Sequence, residues 1–483
     1  MENTSVISVL KTFSKEEIKE FDKFIISPYF NNQPSLTRFY EELKKHFPAF
    51  EEKKVERKKI FQAIYPGKEY SDDTVRRLTS DLKKLMDNYM YVKVQDSNPV
   101  EARFLRSFEY SRRGLHKEAE KELEHIIKMI GETGPISAEY IKNRLDYEER
   151  YVQINLAKNR QSEISHNFKS EIEYLIYHFI LRLSYYIHNI KVNKVIFNVK
   201  ESAFINDFVS AINLEKMDKL MAVSDETGET RKAMRIYVLF ILNYMKEEDE
   251  SYFAELKQVL PEAINYIQDF EKYNIYQMAE AICWQKMTTI DRERYRRELF
   301  EINKLRLDAG VYLPDGRNMR LLLYRQILTS ALQLNEVEWA EEFVAKYSEK
   351  LPDNIRENMT KYANAHLMFE RGNYEGSLAM LNKVDFDIFT LKFDVRNLTL
   401  RIYIELNHIE EAISLIDTYK HFVAKNKGVS EYYRNITGNF LKYCKNIIDL
   451  RTGKAKLSAE EMRREIEADN SVNFKSWLIG KLS

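Results

Sequence analysis

The chain has 483 residues, more than one hydrophobic core needs, so several domains or one long repeat array are expected. Its 13 Gly and 9 Pro are sparse for that length and argue against a loop-rich or all-β chain, while 31% charged residues suit long amphipathic helices. Lys plus Arg and Asp plus Glu are both 75, so the net charge of zero gives the whole molecule no pull toward nucleic acid or an anionic membrane.

Residues 1–98 read as a separate helical module. Met1 to Ser5 lacks a basic region followed by an apolar run, so no signal peptide is expected. Thr4-Ser5 opens toward a helix with Ile7, Leu10 and Phe13. Ser14-Lys15-Glu16-Glu17 fits a capping box, in which Ser14 accepts a first-turn amide and Glu17 reaches back, and Ile18, Phe21, Phe24 and Ile25 follow at helical spacing. The loop Ser27 to Asn32 ends that helix, with Tyr29 and Phe30 expected to pin it onto the core. Leu36, Phe39, Tyr40 and Leu43 make the next helix, stopped by His46-Phe47-Pro48. Val55 to Ile64 is followed by a break at Tyr65-Pro66-Gly67 and a helix introduced by Ser71-Asp72-Asp73. That helix carries Val75, Leu78, Leu82, Leu85 and Tyr89 on one face and Arg76, Arg77, Lys83 and Lys84 on the other.

Tyr65-Pro66 and Arg76-Arg77 with Asp81-Leu82 loosely resemble the winged-helix modules that precede tetratricopeptide repeats in some bacterial transcription activators. The resemblance implies a second helix that reads a DNA major groove with Arg76, Arg77, Lys83 and Lys84. Against it, residues 51–90 hold 10 Lys and Arg beside 8 Asp and Glu, and no hairpin that could be a wing follows Met90. A solvated helix face is the simpler reading of the four cations.

Asp96-Ser97-Asn98-Pro99 reads as a linker, after which a solenoid begins near residue 100. Phe104, Phe108, Gly114, Ala119, Leu123 and Ile126 form a helix–Gly–helix unit, closed by Gly131 to Pro135. Residues 99–320 are expected to hold divergent helix pairs without a repeat that can be registered beyond residue 136. The segments 171–190 and 193–211 are rich in Tyr, Phe and Ile. The most apolar window, Ile172 to Ile190, contains Glu173, His178, Arg182 and His188, too many polar groups for a membrane span, so a buried solenoid helix is expected there. Residues 225–229 read as a loop, Glu247 to Glu250 as a solvated loop or helix end, and Pro314-Asp315-Gly316 as a turn. The run Arg292-Glu293-Arg294-Tyr295-Arg296-Arg297 could hold phosphate or an acidic peptide, but interleaved Glu293 and Glu298 favour a salt-bridged surface.

Residues 321–425 carry one pattern three times. Leu321 to Leu334 breaks at Asn335-Glu336 and resumes with Val337, Ala340, Phe343, Val344 and Tyr347, closed by Pro352. Ala365, Met368 and Phe369 face inward on the second copy, Gly372-Asn373 ends its first helix, and Tyr374 and Ser377 start the second. Leu400 to Leu406 stops at Asn407-His408, and Ile409, Ala412, Leu415, Ile416 and Tyr419 follow. The small residues Ala340, Ser377 and Ala412 lie 37 and 35 positions apart. Such a period means a solenoid, because one helix pair cannot bury its own apolar face. Ala365, Gly372, Tyr374, Ser377 and Pro352 resemble the tetratricopeptide repeat, although only one copy has the turn Gly and the Trp and Leu-Gly of that family's first helix are missing. The resemblance implies a protein-binding scaffold.

Residues 426–483 read as capping helices: Tyr432, Tyr433, Phe440 and Tyr443, then a polar helix from Ser458, then an apolar knot of Phe474, Trp477, Leu478 and Ile479. Docking of Trp477 on a partner is the alternative.

No phosphate-cradling Gly loop, HExxH, GxSxG or Asp-rich calcium loop occurs, and the nine His are scattered, so no cofactor or metal is expected. Cys283 and Cys444 have no CxxC spacing, which excludes a disulfide framework or cysteine zinc site and suits a reducing cytoplasm, and Cys283 beside Trp284 reads as a core thiol. The expected fold is all-α, an N-terminal helical module followed by a TPR-like α-solenoid of antiparallel helix pairs. The expected function is non-enzymatic: a scaffold or adaptor that holds a protein or peptide in a concave groove, with exposed Arg325, Asn364 and Arg401 of the first helices as candidate contacts. No membrane association is expected and no small-molecule ligand is indicated. The alternative is a nucleic-acid-binding regulator that uses Arg76, Arg77, Lys83 and Lys84, with the solenoid as sensor or dimerisation domain.

Overall fold

A computed structural model of the chain describes residues 1, 4–51, 53–131, 134–197, 202–222, 228–314, 316–384, 389–426, 431–469 and 471–482. Among them the fold is all-α: 24 α-helices packed in neighbouring pairs, with one isolated parallel bridge, Ile136 to Ile267, as the extended pairing. No described helix is long and apolar enough to cross a membrane. The chain divides into two compact units, Met1–Glu132 with Tyr147–Phe168, and Thr133–Asp146 with Lys169–Ser483.

The first unit contains α1 (Ser5–Leu10), α2 (Lys15–Ile25), α3 (Pro34–Lys44), α4 (Arg57–Ile64), α5 (Asp72–Ser97), α6 (Pro99–Arg112) and α7 (His116–Ile130), and α8 (Ala138–Ala157) and α9 (Ser165–Phe197) are divided between the units. The Ser14 capping box forms in full and starts α2. Phe21, Phe39, Tyr40, Leu82 and Met86 are buried in one core, where Tyr89 of α5 packs its ring against Phe13, Phe21 and Phe24. Of the two aromatics expected to pin the loop after α2, Phe30 does so and Tyr29 does not. Tyr29 is 87% exposed. Phe30 stacks on Phe24 at 4.1 Å, and the Asn31 amide donates to the Ile25 carbonyl at 2.8 Å. The expected linker is a one-residue junction: α5 runs through Ser97, and Asn98 caps α6 with Pro99 in its first turn. The α6–α7 pair, which the sequence assigns to the start of the solenoid, belongs to this unit, and Ser107 donates to the Ala119 carbonyl at 3.2 Å where the two helices touch.

The second unit continues with α10 (Ala203–Ala211), α11 (Leu214–Ala222), α12 (Gly228–Met245), α13 (Ser251–Ala263), α14 (Asp269–Thr289) and α15 (Arg292–Asp308). Then come α16 (Leu321–Gln333), α17 (Val337–Tyr347), α18 (Asp353–Glu370), α19 (Tyr374–Leu381), α20 (Phe389–Glu405) and α21 (Ile409–Lys425), and finally α22 (Glu431–Arg451), α23 (Ala459–Ala468) and α24 (Lys475–Gly480). Of the expected loop at 225–229, residues 225–227 lie outside the described ones, and Gly228 opens α12. Asp315 of the expected turn, Glu132 and Thr133 of the expected closing segment and the side chain of Tyr432 also lie outside them.

One device ends the first helix of every recognised pair. Gly114, Asn335, Gly372 and Asn407 have φ of +75°, +58°, +78° and +57°, the left-handed conformation that Gly and Asn adopt most cheaply. The next residue sends its N–H back five positions, Leu115 to Tyr110, Glu336 to Ala331, Asn373 to Met368 and His408 to Tyr403, at 2.8–3.0 Å. Each left-handed residue stands five places before the small residue of its pair: Ala119, Ala340, Ser377 or Ala412. All four small residues are fully buried, and Ser377 donates to the Ala365 carbonyl at 2.6 Å.

α9 departs from the expected buried helix. Tyr177, Ile180, Leu181 and Ile187 are buried, whereas Ile172, Leu175, Ile176, Phe179 and Tyr186 are exposed. The window is apolar on two faces, and the neighbouring helices cover only one.

Candidate functional site

The most connected polar cluster lies where the first helices of the three clear repeats, α16, α18 and α20, run side by side. On α20, Asp394, Arg401 and Glu405 follow at spacings of seven and four, which puts them on one stripe. Asp394 accepts two hydrogen bonds from Arg325 of α16, one through Nε and one through a terminal nitrogen at 2.6 Å, and a third at 3.0 Å from the Tyr362 hydroxyl of α18. One carboxylate thus ties three successive repeats together. Burial alone would lower the Arg325 pKa, but the Asp394 charge and its hydrogen bonds outweigh it and hold the guanidinium above its usual range. Burial pushes the Tyr362 hydroxyl well up, with Asp394 adding to the effect.

One turn further along α18, the His366 ring meets that of Tyr362 at 4.6 Å. His366 is buried, and its Nε2 has no hydrogen-bond partner among the described residues. Desolvation draws its pKa down to about 4; Asp394 opposes the shift, and Arg401 and Arg325 reinforce it. Beyond it, Arg401 donates to Glu370 at 3.3 Å and lies over the rings of Phe369, Phe474 and Trp477 at 4.1, 4.6 and 5.3 Å. Burial lowers the Arg401 pKa, and its Nε has no partner among the described residues. Glu405 closes the line, accepting from the Trp477 indole at 2.6 Å and the Lys481 ammonium at 2.7 Å.

This geometry corrects the expected exposure of Arg325, Asn364 and Arg401. Arg401 is only 6% exposed, because segment 471–482 covers it. Arg325 is committed to Asp394, and Asn364 is half-buried on α18. Asp394, Tyr362, His366, Glu370 and Glu405 are the members that sequence reasoning missed. The polar stripe on α20, set among apolar neighbours, was the available signal.

The other sequence candidates resolve into local pairs. On α5, Arg76 pairs with Asp72 at 2.7 Å, Lys83 with Asp87, and Lys84 lies 3.9 Å from Asp81, while Arg77 is exposed. α5 continues as helix past Met90. In the Arg292 run, Arg294 pairs with Glu250, Arg296 with Glu293 and Arg297 with Glu336. Arg292 instead donates to the Val472 carbonyl at 2.8 Å and to the Asn473 amide oxygen at 2.9 Å. Cys283 and Cys444 are free and buried, and burial pushes both thiols well up.

The acidic run after α12 is more than a solvated loop. Lys286, fully buried, donates to the carbonyls of Glu247 at 2.8 Å and Asp249 at 3.3 Å, and so holds the run against α14. A groove of about 610 Å³ opens beside it, lined by Lys191, Asn206, Tyr244 and Lys246. Deeper in the unit, Arg306 and Glu280 form a buried pair at 2.6 Å, with the guanidinium 4.1 Å from the Tyr273 ring. This pair welds α14 to α15. Among the described residues no group of three or more His, Cys, Asp or Glu could hold a metal ion.

No protein-family model matches the chain, and no curated protein matches it.

Proposed function

We propose that the chain is a non-enzymatic helical-repeat scaffold, resembling tetratricopeptide-repeat proteins, that holds a protein or peptide partner along the first helices α16, α18 and α20. The single observation that carries this reading is the shared Asp394 carboxylate, which binds Arg325 and Tyr362 and so aligns three successive first helices. Aligned helices present side chains at fixed spacing, which is what an extended peptide or helix needs for recognition. The charged groups of this face are spent on one another, an arrangement that supports shape rather than proton transfer or nucleophilic attack. Half-buried Lys361, which pairs with Glu357 of its own helix at 2.6 Å, and half-buried Asn364, one helical turn apart on α18, are the side chains assigned to meet a partner. The two buried free thiols fit a cytoplasmic, reducing setting.

Affinity capture from host lysate, with and without nuclease, tests the reading. A protein captured by the parent chain, retained after nuclease and lost with Lys361→Glu plus Asn364→Glu at unchanged helicity, supports it. Capture of nucleic acid that Arg76→Glu plus Arg77→Glu abolishes would replace it with the regulatory reading, in which α5 contacts nucleic acid.

A further inference from the structure

We propose that segment 471–482 is an intramolecular ligand of the second unit's peptide-binding face, and that a partner segment with the same chemistry, two aromatic residues three apart and a Lys four further on, takes its place. This rests on the scaffold reading and names both the occupant of that face and the class of partner.

The contacts of the segment are those of a captured peptide. Arg292, at the first turn of α15, clamps the main-chain carbonyl of Val472 and the side-chain amide of Asn473 from 180 residues away in sequence. Phe474 takes the left-handed conformation, φ +57°, immediately before the short helix α24. Its ring and that of Trp477 box the Arg401 guanidinium against Phe369. Leu478 is fully buried in the cluster that contains Phe440 and Cys444. Glu405 then reads two donors at once, the Trp477 indole N–H and the Lys481 ammonium. A carboxylate that takes both an indole and an ammonium selects an aromatic–basic segment over an acidic one.

The receiving side also keeps unused capacity. Arg401 is buried and its Nε donates to nothing among the described residues. A buried donor left unpaired costs free energy that an incoming segment recovers by placing a carbonyl or carboxylate there. A competitor able to reach Arg401 Nε recovers that cost, which offsets part of the advantage that tethering gives the resident segment. The amides of Leu478, Lys481 and Leu482 bond to carbonyls three or four residues back, and their exchange reports on α24 and its C-terminal turn.

A fluorescent synthetic peptide of residues 471–483 is titrated into the full chain and into the full-length variant Trp477→Ala with Lys481→Glu, whose resident segment is weakened. The expected result is binding about tenfold tighter to the variant, lost again when Glu405→Arg is added. Equal affinity for parent and variant, or no binding to either, overturns the proposal. If the variant does not fold, hydrogen exchange on the parent chain decides. Excess isotopically heavy peptide should speed exchange at Leu478, Lys481 and Leu482 and leave α22 unchanged, whereas unchanged exchange at all three overturns the proposal. Capture of a partner controlled by Lys361 and Asn364 is a separate readout, so failure here would remove the resident ligand and leave the scaffold reading standing.

Discussion

Replacing Asp394 by Asn tests whether one carboxylate holds three repeats together. The substitution keeps one acceptor oxygen but removes the charge that Arg325 and Tyr362 share. The pair is well shielded, with Arg325 and Asp394 side chains 23% and 12% exposed. Breaking a buried ion pair costs roughly 3–5 kcal/mol. The retained Asn oxygen and the partial water access of Arg325 reduce this, so Asp394→Asn should destabilise the second unit by about 2–4 kcal/mol. The three Trp, Trp284, Trp339 and Trp477, all lie in that unit, so their fluorescence in a urea titration reports its unfolding alone. The midpoint should fall with little change in slope. Asp394→Leu combined with Arg325→Met should recover most of the loss, because no charge is then left buried without its partner. A shift below about 0.5 kcal/mol, within the range of ordinary surface substitutions, would refute the reasoning. So would a double variant as unstable as the single one.

Three further outcomes follow from the same packing. His366 is buried neutral with its pKa near 4 against 6.5 when free, so the unfolded chain takes up the proton first as pH falls. Its contribution to stability is complete above 6.5 and is lost as pH falls toward about 4, the loss reaching about 2 kcal/mol at about pH 5; His366→Gln should flatten that part of a stability–pH profile measured by urea titration. Gly372→Ala should cost about 1 kcal/mol by thermal melting because φ is +78°, and Gly372→Asn clearly less, since Asn335 and Asn407 already adopt this conformation. Ser377→Leu should cost about 1–3 kcal/mol or more by overpacking, read by the same melt, since Ser377 is fully buried against α18.

The positions that decided the site were the hardest to read. Asp394 stands in Leu391-Lys392-Phe393-Asp394-Val395-Arg396, where a charged residue on a helix reads as surface. It is an anchor because Arg325, 69 positions earlier, reaches it across the repeats, and no local pattern records that pairing. Arg401 was found as a polar residue on a first helix but misread as exposed, because the segment that covers it lies more than 70 positions later. The same holds for the Arg292 run, whose first member turns from its neighbours toward Val472.

What the sequence determined by itself is local. Helix caps at Ser14 and Ser458, the left-handed stops at Gly114, Asn335, Gly372 and Asn407, and the small residues five places later are all written within a few positions of where they act, because backbone conformation and helix contact depend on neighbours in the chain. From these the all-α repeat order could be read directly. Only the tertiary structure decided which face of α9 is covered, that Asp394 joins α16, α18 and α20, and that segment 471–482 covers Arg401 and donates to Glu405. Those outcomes depend on which helices become neighbours in space. Desolvation then decides whether a given charge is solvent-facing or a buried tie.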